Sequence, residues 1–298
     1  MKRLVIYNPI DEGFWKLSAT CRQELTQQFH NFFEVDYVLE TKGARKKLLD
    51  ADYIVGMPFS LRMVQKNDKL KAVHFWTAQI PVSWQEVQKF QVTSSSGVNS
   101  RSVAEHALYL VMKAIRGEIA PSEFCEEGYF IADNPQQKIA GILGGGHIGT
   151  EIFKLTQNLF GEIICCSRSK IDFTTYYDLD HYQNFLEKVD YLFIAVPLSQ
   201  ETRDLFTQDK FFKKIKKDIC VVNIARGELF DTQELENFFE KNETAVYLTD
   251  VTYPEPYPKE GKLNELENVF ITPHLGGRRK DMWELLLKQT FKITKKWL

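Results

Sequence analysis

The chain has 298 residues, 44 % of them hydrophobic and 26 % charged, with a formal net charge of −2. That balance excludes a disordered chain and allows one large core or two of ordinary size. It provides no global basic field for nucleic acid or an anionic membrane, and the lysine pairs Lys213–Lys214 and Lys216–Lys217 read as the solvated face of a helix.

The amino terminus, with the short apolar run Leu4–Tyr7, reads as a first strand rather than a signal peptide. Short apolar runs then alternate with longer amphipathic segments, which predicts α/β layering around a mostly parallel sheet. Strands are expected at Leu4–Tyr7, Glu34–Leu39, Tyr53–Val55 and Ala72–Phe75. The small polar cluster Thr93–Gly97 reads as a linker, followed by an amphipathic helix over Ser102–Ile115. A second series begins at Lys138, with strands expected at Ile139–Leu143, Glu162–Cys166, Tyr191–Ala195, Ile219–Asn223, Ala245–Leu248 and Val269–Thr272. Six strands with intervening helices are what a doubly wound dinucleotide-binding sheet requires. The tail, residues 278–298, reads as a helix with Trp283, Leu286, Leu287 and Ile293 on one apolar side.

No apolar stretch approaches the 18 or so residues of a membrane span. The five cysteines, Cys21, Cys125, Cys165, Cys166 and Cys220, are odd in number and form no C-x-x-C pair. They read as free thiols in a reducing, cytoplasmic setting. The adjacent Cys165 and Cys166 should point to opposite faces of their strand. The six histidines show no metal-ligand spacing, so no metal is expected. His106 reads as structural, at a domain or subunit contact.

The segment from Ile139 to Gly149 contains G-x-G-x-x-G, placed after an apolar strand and before a helical stretch, Thr150–Phe160. That setting turns a common pattern into a dinucleotide signature. Gly144 permits the tight turn, Gly146 lets the backbone approach a pyrophosphate at the helix N-terminus, and Gly149 lets helix and strand pack closely. The second strand should end on the residue that meets the adenosine ribose. A carboxylate there selects NAD, but this chain reads Ser167, Arg168, Ser169, Lys170. Two cations where a 2′-phosphate would lie predict NADP(H), with Arg168 and Lys170 as its contacts; a solvated basic turn is the competing reading.

Further blocks follow in order: Ala195–Thr202, Val222–Leu229, Thr249–Val251, Glu255–Pro256 and Asn268–His274, with Ser100–His106 upstream. Together with the glycine-rich turn they resemble the D-isomer-specific 2-hydroxyacid dehydrogenases, from about Gly97 to Gly277. The resemblance implies a Rossmann cofactor domain, residues 98–276, inserted into a smaller flavodoxin-like α/β substrate domain, residues 1–97 plus 277–298, with a cleft between them. It implies reduction of a 2-keto acid to a D-2-hydroxy acid, and the reverse, by an NAD(P)-dependent enzyme resembling glyoxylate or hydroxypyruvate reductases. His274 would be the general acid and base, Glu255 its carboxylate partner and Arg226 the cation that holds the substrate carboxylate or polarises its carbonyl. A carboxylate beside an imidazole orients the ring and stabilises its protonated form. Around the cofactor the resemblance adds His147, Ile148, Pro197, Thr202, Ala225, Arg226 and Gly276, with Asp250 at the nicotinamide carboxamide. It also points to a homodimer, for which the helix near Ser102–Ile115 is the candidate contact.

The chain departs from the family pattern near Phe75–Pro81, where many relatives carry a small-Gly-x-Asp sequence and this one reads Ala78, Gln79, Ile80, Pro81. Gln79 cannot replace a flexible glycine, and Pro81 removes a donor. Met57, Phe59 and Trp76 would line an apolar substrate pocket, and the same three serve equally well as core. A non-enzymatic cofactor-sensing protein on this fold, and a formate or phosphite dehydrogenase of the same superfamily, are the alternative functions.

Overall fold

The computed structural model describes residues 1–118 and 132–298, so Cys125 lies outside the described residues. The chain divides into two compact units, Met1–Asn99 with Arg278–Leu298, and Ser100–Gly277.

In the first unit the strands are β1 (Lys2–Tyr7), β2 (Phe33–Val38), β3 (Tyr53–Gly56), β4 (Ala72–Phe75) and β5 (Gln91–Ser94), with helices α1 (Ala19–Phe29) and α2 (Ala44–Leu49). All pair in parallel in the order β2-β1-β3-β4-β5, which is the flavodoxin-like order. The period of two along β1 divides the core. Leu4 and Ile6 pack with Phe29, Trp76, Leu286 and Leu287 on one face, and Val5 and Tyr7 pack with Ile54, Val73 and Phe75 on the other. Leu286 and Leu287 come from the C-terminal helix, Met282–Thr294, whose expected apolar side is thus buried against the sheet.

The expected linker at Thr93–Gly97 requires correction, because Thr93 and Ser94 belong to β5 and pair with His74 and Phe75. Their polarity hid the strand, and it has a physical use. His74 is fully buried in β4, and its ring nitrogens meet Thr93 Oγ1 at 3.0 Å and Ser95 Oγ at 3.2 Å. A buried imidazole without such partners would be costly.

In the second unit α3 (Ser100–Ile115) precedes β6 (Ile139–Leu143), α4 (His147–Thr156), β7 (Glu162–Cys166), β8 (Thr175–Tyr177), α5 (Tyr182–Lys188), β9 (Tyr191–Ile194), α6 (Gln200–Arg203), β10 (Cys220–Asn223), α7 (Thr232–Lys241), β11 (Val246–Thr249) and β12 (Val269–Ile271). The sheet is parallel throughout and ordered β12-β11-β10-β9-β6-β7-β8. The chain leaves β6 first towards β7 and later returns to its other side with β9, so a topological switch point lies between β6 and β9 at the carboxyl edge. The expected strands fall at β6, β7, β9, β10, β11 and β12, and β8 was missed. It has three residues at the sheet margin, none fully buried, and no apolar run to mark it. Cys165 packs with α3 on one face of the sheet and Cys166 on the other. Burial pushes both thiols up to about 12, and the four described cysteines are free.

Burial pushes the His74 imidazole down to about 4 from its ordinary 6.5. The folded chain therefore binds this proton less readily than the unfolded one. Stability from the neutral ring is complete above pH 6.5 and declines as pH falls towards 4. At pH 5 the loss should be roughly 2 kcal/mol relative to pH 7. His74→Gln should remove that part of the slope in urea unfolding at the two pH values, and an unchanged slope would contradict the assignment.

Candidate active site at the carboxyl edge of the larger sheet

The glycine-rich turn leaves β6 at its carboxyl end. Gly144 has φ +110°, and a side-chain carbon there would lie 2.6 Å from the carbonyl oxygen of Ala195. A side-chain carbon on Gly149 would lie 1.9 Å from the Gly144 carbonyl oxygen, so no other residue fits. Gly146 faces open space, and it caps α4 without any side-chain hydrogen bond. The first-turn N–H groups, at His147, Ile148 and Gly149, thus point outward beside an exposed backbone. This is a cradle for a pyrophosphate, and the residues present fit a dinucleotide.

Beside it, β7 ends in a turn fixed by its own backbone. Ser167 is buried, and its Oγ donates to the Ser169 carbonyl at 2.6 Å. Arg168, Ser169 and Lys170 are exposed. The Arg168 side chain is 78 % exposed and its guanidinium lies 3.5 Å from the Glu201 carboxylate, a separation at which an exposed pair holds the arginine only loosely. After β9, Pro197 is exposed and its carbonyl accepts from Thr202 Oγ1 at 2.6 Å. Thr202 and Ser199 also form the capping box of α6, so the threonine shapes this loop.

Arg226 emerges from β10 through a turn held by Asn223. Asn223 Nδ2 donates to the Arg226 carbonyl at 3.1 Å, and its Oδ1 accepts from Ala225 N at 3.0 Å. The Arg226 side chain is half-buried, with Nη1 donating to the Ala225 carbonyl at 2.6 Å. His274 follows β12, and its Nδ1 meets Glu255 Oε1 at 2.6 Å. A carboxylate only accepts, so Nδ1 carries the proton of that bond and Nε2 is left for chemistry. The two side chains are 46 % and 43 % exposed. A histidine–carboxylate pair thus stands open to solvent at the sheet edge from which Arg226 also emerges.

Asp250 is 4 % exposed, and both its oxygens are engaged. Oδ1 accepts from Thr272 Oγ1 at 2.6 Å and Leu275 N at 2.7 Å, and Oδ2 accepts from Gly276 N at 2.7 Å. His106 Nε2 lies 3.2 Å from Oδ1. Burial alone would raise this carboxyl. The hydrogen bonds from His106, Thr272, Gly276 and Leu275 outweigh it and hold Asp250 below the usual carboxylate range. Expected as a contact for the nicotinamide carboxamide, Asp250 serves first as an anchor for the turn that carries His274.

Of the three residues read as pocket lining or core, two pack in the core. Trp76 is 3 % exposed, and its Nε1 donates to Thr290 Oγ1 at 2.9 Å. Phe59 is buried with its ring 5.0 Å from Trp84 and 5.2 Å from Tyr7. Both are core of the first unit, because an apolar sheet face needs large side chains to cover it. Met57 is half-buried beyond the carboxyl end of β3. Sequence reasoning missed Ser102 and Thr272 and gave His106 only a general structural part. The signal was there: Ser102 and His106 are one helical turn apart and share a face of α3.

The sequence profile described as "D-isomer specific 2-hydroxyacid dehydrogenase, NAD binding domain" matches residues 107–276. The chain belongs to this family. Among its relatives, the glyoxylate reductase of Pyrococcus horikoshii is 29 % identical over 216 residues, which cover 66 % of this chain and 64 % of that protein. The match therefore spans less than two thirds of the relative's length. A probable 2-hydroxyacid dehydrogenase from Rhizobium etli, solved with NADP, HEPES and L(+)-tartaric acid, superposes with a TM-score of 0.79 at 17 % identity, covering 99 % of this chain and 94 % of that one. The D-lactate dehydrogenase from Aquifex aeolicus, solved with NAD and lactic acid, gives 0.77 at 17 % identity, covering 98 % and 95 %. These two establish the shared fold.

Gly149→Ala should cost about 3 kcal/mol, since the added carbon would press on a backbone oxygen. A thermal melt should fall by roughly 6–12 °C and dinucleotide binding should be lost with it. An unchanged melting temperature would show that the turn can relax around the methyl group.

Proposed function

We propose that this protein interconverts a 2-keto acid and a D-2-hydroxy acid, using NADP(H). The observation that carries the reading is the 2.6 Å bond from His274 Nδ1 to Glu255, which leaves Nε2 open at the carboxyl edge of a dinucleotide-binding sheet. The nicotinamide supplies the hydride when bound. His274 Nε2 delivers a proton to the substrate's carbonyl oxygen in reduction and takes it back from the hydroxyl in oxidation. Glu255 keeps the ring oriented and offsets the charge that the ring carries while protonated. The Arg226 fork binds the substrate carboxylate or polarises its carbonyl. Asp250 and Gly276 complete the wall of the nicotinamide site.

The preference for the 2′-phosphorylated cofactor rests on Arg168, exposed at the end of β7 where an NAD-selective site carries a carboxylate. Lys170 supports it. The four cysteines among the described residues, all free thiols, support a reducing, cytoplasmic setting. Among the described residues no helix is long and apolar enough to cross a membrane. A homodimer through α3 is supported by Tyr109, which is 48 % exposed on that helix with its ring against Phe270. A monomeric mass in sedimentation would remove the dimer.

The test follows nicotinamide absorbance with NADPH or NADH against glyoxylate, hydroxypyruvate, pyruvate and branched or aromatic 2-keto acids. The oxidised cofactors are offered formate and phosphite. Turnover of a keto acid with NADPH is expected, with kcat/KM at least about tenfold above that with NADH, a difference worth about 1.4 kcal/mol of transition-state binding. Arg168→Ala should erase the preference. His274→Asn should lower kcat by about 100-fold or more while NADPH still binds. Equal efficiency with both cofactors would refute the NADP assignment. Near-normal turnover of His274→Asn would refute the role of the histidine.

A further inference from the structure

The turn that carries His274 is bracketed from one side by a single helix. Ser102 Oγ of α3 donates to the Gly276 carbonyl at 2.7 Å, beyond the histidine. One helical turn later, His106 Nε2 lies 2.8 Å from Thr272 Oγ1, before the histidine. The protons in this cluster can be assigned. Asp250 Oδ1 can only accept, so the single hydroxyl proton of Thr272 lies in the 2.6 Å bond to it. Thr272 Oγ1 must then accept from His106, and the His106 ring carries its proton on Nε2. The same N–H faces Asp250 Oδ1 at 3.2 Å. Ser102, Thr272 and Asp250 are all buried, so none of these bonds is easily replaced by water. Gly276 is fitted to the cluster, since a side-chain carbon there would lie 3.0 Å from Asp250 Oδ2.

Between the two bonds stands His274, the one non-glycine residue with positive φ among those described, at +52°. Such a conformation costs on the order of 1 kcal/mol or more and persists only where its surroundings impose it. Its backbone N–H donates inward, 3.1 Å from the Asp250 carbonyl and 3.0 Å from the Thr272 carbonyl. Its ring points outward to Glu255. Glu255 fixes the ring's rotation, and the cluster beneath fixes where the ring begins.

We propose that His106, seconded by Ser102, is a positioning residue for the reaction: through Thr272, Asp250 and Gly276 it holds the His274 turn in its left-handed conformation and so places Nε2. The inference rests on the reading of His274 as the proton carrier. Neither side chain touches substrate or reacting atoms in this scheme. Displacing a proton-transferring atom by a fraction of an ångström to one ångström reduces rate by up to about 100-fold, while binding elsewhere is untouched.

The test compares His106→Leu, which keeps the volume and removes the donor, with His106→Gln, which restores an N–H. His106→Leu should lower kcat by about 10- to 100-fold, with KM for the keto acid and Kd for NADPH within about threefold of the parent. His106→Gln should recover most of the loss. A second readout needs no turnover: the ring resonances of His274 in an isotope-edited NMR spectrum, identified by their disappearance in His274→Asn. They should shift or broaden in His106→Leu and return in His106→Gln. Should His106→Leu fail to fold, Ser102→Ala is read the same way, with a smaller shift expected. Unmoved His274 resonances in the folded variant, or a kcat within about twofold of the parent, would overturn the proposal. A parent protein without turnover, whose His274 signal still follows His106, would count against the proposed reaction and leave the positioning role standing.

Discussion

A carboxylate taken out of water must be given donors, and much of the site is organised around how Asp250 receives them. It is almost wholly buried beyond the end of β11, and it remains below the usual carboxylate range because a hydroxyl, two backbone N–H groups and an imidazole N–H converge on it. Each donor belongs to a segment that must stay in place. Thr272 fixes the end of β12, Leu275 and Gly276 fix the far side of the histidine turn, and His106 ties both to α3. The charge thereby does the work of a clamp. Half-satisfied it would be a liability of several kcal/mol, and fully satisfied it imposes one conformation on the loop above it.

The rest of the site follows from sheet direction. Every strand of the larger sheet runs the same way, so the glycine-rich turn, the Ser167–Lys170 turn, Arg226, Glu255 and His274 all emerge from one edge although more than a hundred positions separate the first from the last. The two halves of the site are built differently. The glycine-rich turn is made of backbone, where only glycine allows the close approach, whereas the His274–Glu255 pair is made of side chains on loops. Arg168 stands apart from both, exposed and loosely paired with Glu201.

Strands with continuous apolar runs, such as Ile139–Leu143 and Tyr191–Ile194, were legible because burial on both faces excludes polar side chains from the run. β5 and β8 were not, since strands whose side chains are only partly buried can be polar. Phe59 and Trp76 illustrate a second limit. An aromatic near a family loop reads as pocket lining or as core with equal ease, and only the neighbours decide.

By itself the sequence determined the layered α/β architecture, the glycine-rich turn between β6 and α4, and the chemical types of Arg226, Glu255 and His274. These are properties of local pattern: period, glycine spacing and residue chemistry survive in one dimension. Tertiary structure alone decided that His74 meets the hydroxyls of Thr93 and Ser95, that Asp250 anchors the His274 turn, and that Ser102 and His106 reach a turn some 170 positions away. Satisfying a buried polar group depends on which donors come within about 3 Å of it, and that distance exists only once the chain has folded.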